Sequence, residues 1–389
     1  MSALPLPSED ALTHSQAVLT HLLGEIRKNG GWLSFADFMA QALYAPGLGY
    51  YAAGAQKFGA AGDFVTAPEM TPLFAQALAQ QLAQIMAASE NRIIEVGAGS
   101  GRLAADLLAA LEAQGGLPCS YAILELSPDL QTRQRATLAA EVPHLLERVQ
   151  WLTQLPTEFS GVVVANELLD ALPTHLVKWS KTGIFERGVS LDPAGRFTWN
   201  DRPADGELLA AAEEIAAEHA LETPESGYVS EISLAARGWA AAWGDRLRQG
   251  ALILIDYGFP AREYYHPQRH AGTLMCHYRH HAHSDPFYLP GLQDVTTHVD
   301  FTALIAAAHR SGLELLGYTT QGQFLLNCGI LQALAQISGE TPAYYRAAGA
   351  VGRLTMPHEM GELFKVMALG RGIDADLLGF IRGDQSHRL

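Results

Sequence analysis

The chain is short of cysteine and of basic groups, and each shortage narrows its chemistry. Its three cysteines, Cys119, Cys276 and Cys328, stand far apart and match no metal-ligand or redox spacing. They read as reduced core or boundary residues of a cytoplasmic protein. Lys and Arg number 26 against 41 Asp and Glu, a formal net charge of −15. That balance disfavours a large nucleic-acid footprint, which needs clustered positive charge. It suits a small-molecule substrate or a basic segment of a protein partner. No apolar run approaches the ~20 residues of a membrane-spanning helix. The first residues, Met1-Ser-Ala-Leu-Pro-Leu-Pro-Ser-Glu-Asp10, have neither a basic-apolar signal nor an Arg-rich transit character. A cytoplasmic location without membrane insertion is expected. Apolar residues, by contrast, make up 48% of the chain, with 17% charged, which is the composition of a well-packed globule.

The most informative stretch is Arg92-Ile-Ile-Glu-Val-Gly-Ala-Gly-Ser-Gly-Arg102, followed by the helical pattern Leu103-Ala-Ala-Asp-Leu-Leu-Ala-Ala-Leu111. Strand, tight glycine turn and helix in that order open a nucleotide-binding α/β sheet. The glycines let the backbone turn sharply and let a ligand approach where a Cβ would collide. A dinucleotide fingerprint, G-x-G-x-x-G, needs glycine at 102, and Arg102 stands there instead, which disfavours an NAD-dependent oxidoreductase. G-x-G-x-G after an acid is the form used by class I S-adenosylmethionine (SAM) methyltransferases, where no pyrophosphate sits on the helix end. The next strand pattern, 121–126, carries Glu125, which lies 125 − 101 = 24 residues beyond the last glycine. A carboxylate at that position can accept both ribose hydroxyls. The cofactor-side candidates are therefore Glu95, Gly97, Ala98, Gly99, Ser100, Gly101, Glu125, Leu126 and Asn166. The plain alternatives are an ordinary strand-to-helix turn and a surface acid at 125, but three alternate glycines are entropically costly for so little.

A third constellation is Val162-Val-Val-Ala-Asn-Glu-Leu-Leu-Asp-Ala-Leu-Pro173. The valine run delivers Asn166, Glu167 and Asp170 to the carboxyl edge of a sheet, where ligands bind in open α/β folds. Paired carboxylates can bind a guanidinium bidentately, align a nitrogen nucleophile and stabilise developing positive charge. These three are the catalytic candidates. The competing reading is helix capping, with Asn166 as cap and the acids facing a helix dipole. No Asn-Pro-Pro-aromatic tetrad occurs, which disfavours amino methylation of a base or of glutamine. Cys276-His-Tyr-Arg-His-His-Ala-His-Ser-Asp285 offers imidazoles at 277, 280, 281 and 283, but the spacing matches no closed zinc site. Methyl transfer from a sulfonium needs no metal, so a polar loop over the pocket is the preferred reading. Tyr257 can line that pocket, and Asp256 reads equally well as a plain strand-end acid.

Coarse patterning gives a doubly wound α/β fold with insertions. Strands are expected at 92–96, 121–126, 161–165, 251–255 and 313–320, with a late antiparallel edge strand at 361–369. Helices are expected at 15–28, 34–44, 71–88, 100–114, 128–140, 233–248, 301–311, 323–338 and 342–354. Residues 1–90 read as a helical region packing over the active site, and 91–389 as the catalytic core. Insertions interrupt that core at about 175–230, with antiparallel strands and an acidic helix at 205–221, and at 258–300.

Together these segments resemble the MidA-like methyltransferase family, bacterial relatives of a mitochondrial complex I assembly factor. The resemblance runs through Tyr44-Ala-Pro-Gly-Leu-Gly-Tyr-Tyr51, Gly62-Asp-Phe-Val-Thr-Ala-Pro-Glu69, Glu95-Val-Gly-Ala-Gly-Ser-Gly101, Asn166-Glu-Leu-Leu-Asp-Ala-Leu-Pro173, Ile255-Asp-Tyr-Gly258, Gln293-Asp-Val-Thr-Thr-His-Val-Asp-Phe301 and Gly361-Glu-Leu-Phe-Lys365. It implies a class I methyltransferase fold and SAM as cofactor. From the mitochondrial relatives it implies methylation of arginine in a protein, such as a respiratory-complex subunit or another assembly client. It also implies that Asp63, Thr66 and residues 293–301 approach the active site, adding Asp63 and Thr66 to the cofactor-side candidates. A homodimer is compatible with this reading. A SAM-binding assembly or chaperone factor without turnover, and a small-molecule methyltransferase, are the alternatives.

Overall fold

A computed structural model describes residues 4–53, 66–219, 221, 224 and 226–389. Its centre is a sheet of short apolar strands: β1 (Arg92–Val96), β2 (Ser120–Leu124), β3 (Val149–Leu152), β4 (Phe159–Asn166), β5 (Leu247–Phe259), β6 (Glu314–Thr320) and β7 (Phe364–Arg371). Their order across the sheet is β3-β2-β1-β4-β5-β7-β6, and the two-residue strand Val299–Asp300 extends β5. The pairs β1–β2, β2–β3, β1–β4 and β4–β5 are parallel, whereas β7 runs antiparallel to both β5 and β6. Parallel strands need crossover connections, and helices supply them on both faces.

Alternation along the strands feeds two cores. Ile93, Val162, Val164 and Ile253 face the helices Pro72–Ala88, Arg102–Ala113 and the C-terminal Gln321–Asn327 and Pro342–Thr355. Ile94, Val163, Leu252 and Leu254 face Leu234–Arg246 and Phe301–Arg310. The doubly wound α/β class is the one expected.

The expectation of an edge strand at 361–369 is corrected. Strand β7 lies inside the sheet, and seven of its eight residues are buried. The run Phe364-Lys-Val-Met-Ala-Leu-Gly370 has no outward polar alternation, as befits a strand covered on both faces. The single helix expected at 323–338 is two, Gln321–Asn327 and Ile330–Ala335, divided by Gly329 at φ +83°. Periodicity also passed over β3, the strand Tyr228–Ile232 and the short strands of the second insertion.

Both insertions fold into sheets. The first gives His175–Ser180, Gly183–Leu191, Phe197–Pro203 and Tyr228–Ile232, and the N-terminal strand Trp32–Ser34 joins them antiparallel to make five. The second gives a three-stranded sheet of Met275–Tyr278, His281–His283 and Asp294–Thr296. Val18, Leu22, Phe35 and Phe38 from the first helices share one core with Leu176, Val189, Cys276 and Val295 from the insertions. Residues 9–51 and the two insertions thus form a cap, while helix Pro72–Ala88 belongs to the sheet's own core. The cap stands over the carboxyl edge of the parallel strands and encloses a cavity there.

Candidate active site

The cavity has a volume of about 1340 Å³ and is lined from both the sheet edge and the cap. Its floor is the glycine turn after β1. Gly97, Gly99 and Gly101 have φ of +70°, +53° and +83°, a region that L side chains rarely enter. A Cβ on Gly101 would stand 2.9 Å from Gln134 Cα, so the turn packs directly on the helix Pro128–Glu141. Glu95, Gly97, Ala98, Gly99 and Ser100 all line the cavity, as do Glu125, Leu126, Asn166 and Thr66. Gly101 lies behind the lining, and Asp63 falls outside the described residues.

Two carboxylates flank the turn. Glu95 is 2% exposed and accepts from the Tyr121 hydroxyl at 2.5 Å; burial pushes its pKa up to about 7. Glu125, at the end of β2, accepts from the Ser127 N–H at 2.9 Å and from the Gln134 amide at 3.1 Å. Burial raises its pKa, and these donors oppose the rise. Gln134 was not anticipated. Its amide also donates to the Gly99 carbonyl at 3.2 Å, and its oxygen accepts from Trp151 Nε1 at 3.0 Å. Glu69 was also passed over, although it ends a quoted motif; it lines the cavity and accepts from the Ser100 hydroxyl. Arg102, the residue that broke the dinucleotide fingerprint, pairs with Asp106 at 3.0 Å and Glu141 at 2.9 Å.

Beyond β4 the chain makes a turn, not a helix, over residues 167–172. The competing reading, with Asn166 as a helix cap, is therefore not met. Asp256, on the neighbouring strand β5, accepts from the N–H groups of Leu168, Leu169 and Asp170 at 3.2, 2.8 and 3.3 Å, and its other oxygen takes the Tyr257 N–H at 3.0 Å. A carboxylate holding consecutive N–H groups fixes the turn as a cap would. Nothing in the local sequence announces this, because Asp256 lies 86 to 88 residues away.

The turn aims Glu167 and Asp170 into the cavity. Glu167 sits at φ +53°, which is uncommon for a residue with a side chain. Its Oε1 accepts from Asn166 Nδ2 at 3.1 Å and from the Ala67 N–H at 3.3 Å. Burial, then repulsion from Asp170, pushes its pKa up to about 8. Asp170 is 5% exposed, and burial raises it to about 6. Its Oδ1 and Asn166 Oδ1 are buried without a hydrogen-bond partner, an arrangement that a bound donor would complete. Tyr44, Tyr51, Tyr257, His298 and Asp294 surround this end. Burial holds His298 down to about 4, so it is neutral.

Seven carboxylates line the cavity: Glu69, Glu95, Glu125, Asp129, Glu167, Asp170 and Asp294. Among the described residues Arg102 is the only lysine or arginine in the lining, and it is already paired. Such a cavity attracts a cation. Among the described residues no group of three or more His, Cys, Asp or Glu is placed to hold a metal. His277 lines the cavity from the strand Met275–Tyr278, which pairs antiparallel with His281–His283.

Residues 73–319 match the family described as "Putative S-adenosyl-L-methionine-dependent methyltransferase". The match spans more than half of the chain. The chain belongs to this family. Its cofactor is SAM, its fold is the class I SAM-methyltransferase fold, and it is a SAM-dependent methyltransferase. A COG1565 superfamily member from Burkholderia thailandensis, bound to S-adenosyl-homocysteine, is 51% identical over the full length of both chains with a TM-score of 0.95. A native structure of a COG1565 superfamily protein from the same organism is likewise 51% identical over 100% of both chains, with a TM-score of 0.92. The mitochondrial protein arginine methyltransferase NDUFAF7 of Mus musculus is 30% identical over 90% of this chain and 84% of its own length. The Rattus norvegicus protein of the same name is 30% identical over 92% and 85%.

The cavity of this family member fits the cofactor on its own evidence. Gly97 and Gly99 line the cavity with bare backbone at positive φ, Glu125 is buried just beyond the second strand, and Asn166 and Asp170 of the same lining each hold an unpartnered acceptor.

Proposed function

We propose that this methyltransferase acts on a protein, at the guanidinium of an arginine. The observation that carries this reading is the pairing of Glu167 and Asp170 at the buried end of an acidic cavity, with Asp170 Oδ1 lacking a donor. A guanidinium presents five N–H donors in a plane and keeps its charge when buried, which suits two adjacent carboxylates better than any neutral acceptor does. The names of the mouse and rat relatives support the same substrate class.

In this reading Gly97, Ala98, Gly99, Ser100 and Gly101 hold the methionine part of the cofactor, and Glu125 takes the ribose hydroxyls, with Leu126 against the base. Glu95, Asn166 and Thr66 complete the cofactor side. When bound, SAM supplies an electrophilic methyl group on a sulfonium and leaves as S-adenosyl-homocysteine. Glu167 and Asp170 orient the acceptor nitrogen and stabilise its positive charge as the N–C bond forms. That nitrogen must also shed one proton. Burial raises the proton affinity of Glu167, and once the bound guanidinium has drawn it into its ionised form, its carboxylate is the group placed to take that proton.

Incubation with radiolabelled SAM and a cell lysate, followed by acid hydrolysis and mass spectrometry, tests this. Label in protein-bound methylarginine is expected. Label confined to low-mass compounds would establish small-molecule methylation instead, and absence of label would indicate a binding factor without turnover.

A further inference from the structure

Tyr51 and Asp294 come from parts of the chain far apart in sequence and meet at the edge of the acceptor end. Tyr51 ends the glycine-aromatic loop, where Gly49 passes so close to the backbone of Leu43 and Tyr44 that a Cβ would stand 2.5 Å from it. Asp294 opens the strand Asp294–Thr296 of the second insertion. The Tyr51 hydroxyl donates to Asp294 Oδ1 at 2.9 Å, and the Val295 N–H donates to the same oxygen at 3.0 Å. Asp294 is 3% exposed and still contributes to the cavity wall.

The Tyr51 ring stacks on Tyr44, with centroids 5.5 Å apart and planes at 22°. The Tyr44 hydroxyl donates to the Ala171 carbonyl at 2.8 Å, on the turn that carries Asp170. Ser127, next to the cofactor-side acid, donates to the Tyr51 carbonyl at 3.3 Å. A stacked tyrosine pair therefore stands where the cofactor half of the cavity meets the acceptor half. Asp170 lies toward one side of the pair and Asp294 is bonded to the other. Both carboxylates act on the Tyr44 hydroxyl, whose pKa is raised by burial first and then by Asp294 and Asp170. Asp294 also raises Glu167, so its charge is felt at the catalytic candidate itself.

We infer that Asp294, positioned by Tyr51, is a third carboxylate of the acceptor site and sets its preference for a planar guanidinium over a primary ammonium. The inference rests on the arginine reading above. Glu167 and Asp170 alone offer a compact anionic pair, which serves either cation. An ammonium carries its three donors at one point, whereas a guanidinium spreads five around a plane and presents flat faces to aromatic rings. A third carboxylate beside stacked tyrosines adds an acceptor for the outlying N–H groups of the planar cation, which an ammonium, with its donors at one point, does not present. Tyr51 is a positioning residue, acting through the oxygen it holds.

The test uses the full-length protein saturated with S-adenosyl-homocysteine and two acetylated, amidated peptides, Gly-Gly-Arg-Gly-Gly and Gly-Gly-Lys-Gly-Gly, titrated by calorimetry. Wild type is expected to bind the arginine peptide more tightly. Asp294→Asn should weaken the arginine peptide about tenfold, on the scale of one lost charge-assisted hydrogen bond, while moving the lysine peptide less than about threefold. Tyr51→Phe keeps the ring and should weaken the arginine peptide by a smaller factor, again sparing the lysine peptide; a merely structural role would shift both peptides and the cofactor together. Retained arginine preference in Asp294→Asn overturns this inference alone. A wild-type protein without arginine preference overturns the arginine reading and this inference with it.

Discussion

The side-chain amide of Gln134 donates to the Glu125 carboxylate at 3.1 Å and to the Gly99 carbonyl at 3.2 Å. One fully buried residue thus ties the ribose-binding candidate to the glycine turn, and Trp151 Nε1 fixes the amide's orientation from its other end at 3.0 Å. The two pieces of the candidate cofactor site are therefore not independent features of two strands. They are braced by the helix Pro128–Glu141, which follows β2.

Gln134→Leu keeps the bulk and removes the brace. It leaves the Glu125 carboxylate and the Gly99 carbonyl each short of a donor, which should cost roughly 1.5–3 kcal/mol of cofactor affinity, about 10- to 100-fold. Calorimetry with S-adenosyl-homocysteine measures this. Unchanged affinity would show that Glu125 is positioned by Ser127 alone.

Asp256 and Glu167 should respond differently to substitution. Asp256→Ala strips three consecutive N–H groups of their acceptor, at ~1–3 kcal/mol for each buried donor left unmet, so the melting temperature should fall by about 5 °C or more. Glu167→Gln should leave the fold and SAM affinity nearly intact and remove turnover. If Glu167→Gln proved the more destabilising of the two, the carboxylate at 167 would be a structural group, and the catalytic reading of this turn would fail.

The pH dependence of stability carries a distinctive sign. Glu167 is raised to about 8 and Asp170 to about 6, so the folded protein keeps these protons at pH values where the unfolded chain, near pH 4, has already lost them. The native state then binds more protons, and the stability these groups contribute is complete below about pH 4 and lost as pH rises toward about 8. Thermal melts from pH 5 to pH 8.5 should show a downward trend for wild type that is shallower in Glu167→Gln. Parallel slopes for the two proteins would contradict the raised pKa of Glu167.

Much of the sheet was legible because its signals are local. Strand β1 falls at 92–96 as read, since an apolar run ending in a glycine turn admits few alternatives. The glycine spacing and the acid at 125 pointed to the cofactor for the same reason. What escaped was non-local. Gln134 looks like any polar residue on a helix, and only packing against Gly101 shows why it is buried. Asp256 reads as a strand-end acid until the neighbouring strand places three N–H groups on it. Strand β7 was misplaced at an edge because its register depends on two partners, β5 and β6, that arrive from elsewhere in the chain.

By itself the sequence determined the fold class and the cofactor and pointed to 166–170 as part of the cavity edge, because periodicity, glycine spacing and residue chemistry act over a few neighbours. The tertiary structure alone decided that the first helices join both insertions in one cap, that a turn rather than a helix presents Glu167 and Asp170, and that Tyr51 is the residue bonded to Asp294. These outcomes depend on contacts between residues up to 275 positions apart. Whether such a contact forms is settled by how whole sheets pack, and no local pattern encodes it.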